Sequence, residues 1–271
     1  MRRLLIRSGG IGDCILCLPA LEYFKSDYTE VWVPSDIVPL IRFANAVRPI
    51  ASTGLDLMGL PGVDPPRALI EKLRSFDSIV SWYGANRDEF RAQTRQFGLP
   101  FQFLSALPSP GERIHAADFF LRQAGGEGAA IPRIECPGTV RGDFAVIHPF
   151  SGSSRKNWPL ELFRELSRRL AWPVQWCAGP QEQLDGAIRF ENLYELACWL
   201  ATARVYIGND SGITHLAAAA GVSVVAIFGP TDPAIWAPRG EYVRVVTGKL
   251  AEITVDEVLE TVIKTVLPNA T

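Results

Sequence analysis

Short apolar runs alternate along this chain with stretches whose apolar residues recur at helical spacing, and polar, glycine-rich turns separate the two. Residues 4–7 read as a strand and residues 13–25 as a helix; residues 31–33 read as a short strand, with Ser35 as N-cap of a helix to about Asn45. A buried strand is expected at 79–82, between helices at 66–76 and 86–97, and an amphipathic helix at 112–123. A second series then repeats the alternation. Strands are expected at 144–148, 174–177, 205–207 and 222–228, and helices at 159–170, 192–202, from Ser211 onward and at 254–266. Thr254 and Glu257 have capping-box spacing at the start of the last helix.

Between the two series the texture changes. Gly125-Gly126-Glu127-Gly128, with Pro132 and Pro137-Gly138 behind it, reads as a linker. The boundary is placed near Pro137, giving domains 1–136 and 137–271, two doubly wound α/β domains facing a cleft. The chain has 271 residues, 48% of them apolar and 21% charged, which suits such a pair. Its net charge of -2 gives no general reason to bind nucleic acid, and none is expected as a partner. Five cysteines, scattered and odd in number, read as free thiols of a reducing compartment. Cys14 and Cys17 share the inner helical face with Leu18 and Leu21, which favours core packing over a redox or metal pair. Arg7, Gly9 and Asp13 break the apolar start too early for an export signal, and no stretch reaches the ~20 apolar residues of a membrane span. A cytoplasmic protein is expected.

Four polar loops follow expected strands, where open α/β sheets bind ligands. In the first, Gly9, Gly10 and Gly12 allow a tight turn and a close backbone approach, and Asp13 opens the helix. The dipole favours a carboxylate there, so Asp13 is either a weak general base or a helix-capping acid. The loop is not G-x-G-x-x-G, which argues against a nicotinamide oxidoreductase. The second loop, residues 148–159, sets Ser153, Ser154 and Lys156 ahead of Pro159. Hydroxyls, N–H groups and a lysine suit a diphosphate, although a solvated basic loop would look the same. It is not a Walker loop. The third loop, Asp210-Ser211-Gly212, opens a small-residue helix carrying His215, a ready anion site at a helix amino end. A serine-nucleophile reading fails, because Gly-x-Ser-x-Gly is absent and no acid–base relay accompanies Ser211. The fourth, residues 229–233, offers Thr231.

The ordered set resembles glycosyltransferase family 9, the ADP-heptose:lipopolysaccharide heptosyltransferases, as a shortened member. The matching stretches are residues 5–21, with Gly12-Asp13 and Pro19-Ala20-Leu21; His148-Pro149 through Lys156-Asn157-Trp158-Pro159; and residues 208–233, with Asn209-Asp210-Ser211-Gly212 and Gly229-Pro230-Thr231-Asp232-Pro233. The resemblance implies a GT-B fold of two Rossmann-like domains. It also implies inverting transfer of a sugar, heptose from ADP-heptose, to a lipopolysaccharide-core or related glycan acceptor. No metal and no cofactor is implied beyond the nucleotide-sugar substrate. By motif, Asp13 would take the acceptor's proton, with Gly9, Gly10 and Gly12 forming the acceptor loop. Lys156, Ser153 and Ser154 would hold the donor diphosphate. Asp210, Ser211, Gly212 and His215 would line the donor, Glu182 matches a ribose-binding acid, and Thr231 and Asp232 would close the pocket. A lipid-linked acceptor would bring the protein to the cytoplasmic face of the inner membrane. There Arg2, Arg3, Arg42, Arg67, Arg74 and Arg91 would meet acidic phosphates. The alternatives are a catalytically inactive nucleotide-sugar-binding protein and a GT-B-like sugar-nucleotide epimerase.

Overall fold

The computed structural model describes residues 1–109 and 111–266. Contacts divide the chain into two compact units. The first holds Met1–Glu112 and Ala116–Ala130; the second holds Arg113–His115 and the chain from Ile131. The units therefore part at Ala130, ahead of Pro137. Ile134 explains this: its N–H bonds to the Ala219 carbonyl at 2.8 Å, which ties the stretch after the glycine run to the second unit.

Each unit is built on a five-stranded, all-parallel sheet. The first contains β1 (Arg2–Ile6), β2 (Tyr28–Val33), β3 (Ala46–Pro49), β4 (Ser78–Ser81) and β5 (Phe101–Phe103), in the order β3-β2-β1-β4-β5. Its helices are α1 (Ile11–Tyr23), α2 (Arg67–Arg74), α3 (Asp88–Gln96) and α4 (Ala116–Gln123). The second contains β6 (Ala145–His148), β7 (Val174–Trp176), β8 (Val205–Asn209), β9 (Ser223–Phe228) and β10 (Val243–Thr247), in the order β10-β9-β8-β6-β7. Its helices are α5 (Leu160–Arg169), α6 (Leu193–Ala201), α7 (Gly212–Ala219), α8 (Pro233–Trp236) and α9 (Val255–Val266). Parallel pairing needs crossovers, and helices supply them, so the central strands are covered on both faces and read as unbroken apolar runs. Ile147, Ile207, Val225 and Ile227 pack with Trp158, Phe163 and Val258 in one core; Leu4, Ile6, Ile79, Trp32 and Phe90 centre the other.

The sheet orders fix where ligands can enter. Strand order reverses at β1/β4 in the first unit and at β6/β8 in the second. At such switch points the loops beyond the strands' carboxyl ends diverge and leave a crevice.

Several expectations from sequence are corrected. Ser35 does not cap a helix to Asn45: Pro34 precedes a six-residue 3-10 turn, Ser35–Leu40, which contains Pro39. Residues 46–49 instead pair with β2. The helix expected from Glu112 starts at Ala116, because residues 113–115 belong to the second unit, where His115 Nε2 meets the Ala237 carbonyl at 2.9 Å. Strands β3, β5 and β10 were not anticipated. All three are sheet edges with one neighbour each, so little apolar patterning marks them. Cys14 and Cys17 are fully buried as expected. Among the described residues, no helix is long and apolar enough to cross a membrane.

Candidate active site

Candidate residues fall in both units, and each group is built within its own. In the first unit, β1 ends at the loop that enters α1. Gly9 sits at φ +125°, a backbone region that favours glycine, and a Cβ there would come within 3.0 Å of the Asp13 Cβ. The turn therefore needs glycine to bring the chain against Asp13. Asp13 lies at the third helical position, not at the cap, which is Gly10. Its Oδ2 accepts the Gly10 N–H at 2.9 Å. The side chain is half-buried, and Oδ1 accepts no protein hydrogen bond among the described residues. Asp13 thus caps its own helix with one oxygen and keeps the other available.

In the second unit, the loops after β6 and β8 meet because these strands are paired neighbours, His148 opposite Gly208. Residues 154–156 form a 3-10 turn that aims Lys156 at Asp210, Nζ to Oδ2 2.7 Å. The ammonium remains 34% exposed while the carboxylate is 7% exposed. A buried acid thus orients a lysine that still faces solvent. Ser151 organises the loop by bonding the Ser153 carbonyl and Asn157 Oδ1, each at 2.7 Å. Asn209, fully buried, holds the two loops together: its Oδ1 accepts the Trp158 N–H at 2.9 Å and its Nδ2 donates to the Pro149 carbonyl at 2.8 Å. Ser153 is half-buried and Ser154 exposed.

Ser211 is the N-cap of α7, its hydroxyl accepting the Thr214 N–H at 3.3 Å and meeting Thr214 Oγ1 at 3.0 Å. Thr214 in turn contacts the Tyr206 hydroxyl at 3.1 Å. The hydroxyl of Ser211 is thereby committed to structure, and the ligand-binding capacity of this turn lies in the first N–H groups of the helix, at Gly212 and Ile213, which have no intrahelical acceptor. His215 is buried one turn further on, and Thr231 is half-buried in the loop after β9. Asp232 accepts the Ala234 N–H at 2.9 Å, capping α8.

Glu182 follows β7 and is anchored through Oε2, which accepts the Gly179 N–H at 2.6 Å and faces His148 Nε2 at 3.0 Å. Burial works against its ionisation. Hydrogen bonds from His148 and Gly179, with the charges of His148 and Arg189, outweigh that and hold the carboxyl below its ordinary range. Oε1 accepts nothing from the protein among the described residues. The short connection after β7 still extends the sheet edge, since Ile188 bridges Cys177 in parallel. Sequence reasoning overlooked His148 and Asn209 as positioning residues. The sign of both was a polar residue closing an apolar run.

Residues 121–260 match the sequence pattern of glycosyltransferase family 9 (heptosyltransferase). Lipopolysaccharide heptosyltransferase 1 of Pseudomonas aeruginosa is 36% identical over 93 residues, which cover 29% of this chain and 26% of that protein. The chain thus spans about a quarter of that curated relative's length. Among solved structures, a glycosyl transferase family 9 protein from Veillonella parvula superposes with TM-score 0.76 at 16% identity, over 99% of this chain and 97% of that one. ADP-heptose lps heptosyltransferase II of E. coli gives 0.73 at 16% identity, over the full length of both chains (100% of each). E. coli heptosyltransferase WaaC with ADP gives 0.71 at 17%, over 98% of this chain and 100% of that one.

Proposed function

We propose that this chain, which belongs to glycosyltransferase family 9, transfers a sugar from a nucleotide-diphosphate donor to a hydroxyl of a glycan acceptor, with inversion and without a metal. The donor we infer is ADP-heptose, and the acceptor a lipopolysaccharide-core or related glycan, met at the cytoplasmic face of the inner membrane when it is lipid-linked. The observation that carries this reading is the Lys156–Asp210 pair at 2.7 Å, set across the β6/β8 switch point beside the amino end of α7. The solved relative with bound ADP supports the choice of nucleotide.

The chemistry follows from charge. The acceptor oxygen forms a bond to the anomeric carbon while the carbon–oxygen bond to the diphosphate breaks, and its electron pair leaves with the diphosphate. Negative charge grows on the leaving group. The Lys156 ammonium and the free N–H groups opening α7 are fixed dipoles and charge that meet it without reorganisation. Asp210 keeps the ammonium from swinging into solvent. Glu182 Oε1 is available to ribose hydroxyls. The acceptor's proton goes to Asp13, whose uncommitted Oδ1 is a carboxylate oxygen of the right kind for a general base.

Thermal unfolding with ADP, UDP, GDP and NAD, on the wild type and on Lys156→Ala, tests the donor site. ADP at ~100 times its dissociation constant should add about 2.7 kcal/mol, or several degrees, to the wild type and far less to the variant. A shift with UDP or GDP alone would overturn the donor, and no shift with any nucleotide would overturn the transferase. Turnover should survive EDTA, and NMR of the glycan product should show the inverted anomer; retention would exclude the direct displacement.

A further inference from the structure

Arg7 follows β1 immediately and is 1% exposed. Its N–H continues the sheet to the Trp32 carbonyl at 3.0 Å, so its side chain is committed to the interior of the first unit, beneath the glycine loop. Its direct partners are backbone carbonyls. Nη1 reaches the Ala106 carbonyl at 3.3 Å and Nη2 the Asp13 carbonyl at 3.4 Å; both bonds are long. The buried Nε has no partner, and the guanidinium carbon stands 4.7 Å from the centre of the Phe120 ring. No carboxylate forms an ion pair with it among the described residues. The neighbouring thiols do not neutralise it either. Burial pushes Cys14 and Cys17 up to about 12, so both stay protonated, and the Cys14 Sγ lies 3.9 Å from the Gly9 carbonyl as a weak donor.

An unpaired buried cation is unfavourable, and an apolar side chain of similar volume generally does as well or better for stability. Stability therefore does not account for an arginine here. What the guanidinium does is join two carbonyls from segments far apart in sequence: that of Asp13, in the first turn of α1, and that of Ala106, in the loop beyond β5. We propose that Arg7 is a positioning residue for Asp13, a fork that clamps the first turn of α1 against the 104–106 loop and so fixes where the Asp13 carboxylate points. This rests on the reading of Asp13 as the base. The fork matters because a base acts only from a narrow range of positions, and small misplacements are felt strongly in the rate.

The test compares steady-state transfer and thermal unfolding for Arg7→Met, Arg7→Lys and Asp13→Ala in the full chain, with ADP-heptose as donor and a lipopolysaccharide-core oligosaccharide as acceptor. Arg7→Met should unfold at or above the wild-type temperature, lose ~10- to 100-fold in kcat and leave KM for the donor unchanged. Arg7→Lys, which keeps one carbonyl bond, should recover part of the loss. Asp13→Ala should lose ~10²–10⁴-fold. Wild-type kcat in Arg7→Met would overturn the proposal. So would a loss of activity that tracks a lowered unfolding temperature with no recovery in Arg7→Lys. If Asp13→Ala itself turned over normally, the base assignment would fail instead, and the two failures are separately visible.

Discussion

Two charged side chains in the first unit are wholly buried, and their surroundings treat them in opposite ways. Glu30, on β2, is 0% exposed and saturated with donors: Lys72 Nζ at 2.7 Å, Trp32 Nε1 at 2.9 Å, Arg48 Nε at 3.0 Å and the Tyr28 hydroxyl at 3.2 Å. Arg7 has two long carbonyl bonds and an orphaned nitrogen. The first arrangement is structural, the second needs a reason beyond stability. Burial pushes the Glu30 carboxyl up, but the bonds from Lys72 and Trp32 and the charges of Lys72 and Arg48 outweigh it and hold the carboxyl below its ordinary range. The folded state therefore binds that proton less readily than the unfolded chain. The associated stability is fully present above about pH 4.3 and is lost as pH falls through the folded value. Glu30→Gln should destabilise by about 1–3 kcal/mol at neutral pH, since Lys72 and Arg48 partly retain water. Denaturant unfolding of both proteins should show the gap narrowing below pH 4.3; a gap independent of pH would exclude the ionised network as its source. Neither environment could be read from sequence, where Glu30 stands just ahead of the 31–33 strand and Arg7 closes the 4–7 strand.

At the level of elements, the starts of α6, α7 and α9 were legible in their side-chain caps. The Thr254–Glu257 box is present as its spacing implied, Thr254 N–H to Glu257 Oε2 2.8 Å and Glu257 N–H to Thr254 Oγ1 3.3 Å. Asn192 caps α6 through both the Tyr194 and Glu195 N–H groups. Ser35, which looks like a cap, sits instead inside a proline-bearing 3-10 turn. Caps also allow structure and ligand binding to be separated. Ser211→Ala and Thr254→Ala should each cost ~1 kcal/mol. Only Ser211→Ala, at the α7 end beside Lys156–Asp210, should also weaken the ADP-induced thermal shift. Equal shifts in both variants would show that the Ser211 cap does not order the α7 N–H groups for the donor.

Across the whole molecule, two parallel sheets with different strand orders each bring their functional loops to a switch point, β1/β4 in one unit and β6/β8 in the other. If the donor binds where the Lys156–Asp210 pair lies, hydrogen exchange with ADP should show new protection in loops 149–158, 209–213 and 229–233. The core strands of the first unit should be unchanged; protection confined to the first unit would overturn the assignment. The alternation of apolar run, polar turn and helix was enough to establish the doubly wound class, the central strands and the loops in which the candidate residues lie. Those features are local: a strand–turn–helix unit carries its own pattern and its own breakers. The tertiary structure alone decided the rest. It set Lys156 against Asp210, 54 residues away, through the pairing of β6 with β8, and Lys72 against Glu30 across 42 residues. It added the edge strands β3, β5 and β10, and it buried Arg7 between two carbonyls. Each of these depends on which strands lie side by side, and that choice minimises exposed apolar surface over the entire sheet, a condition no short window of sequence contains.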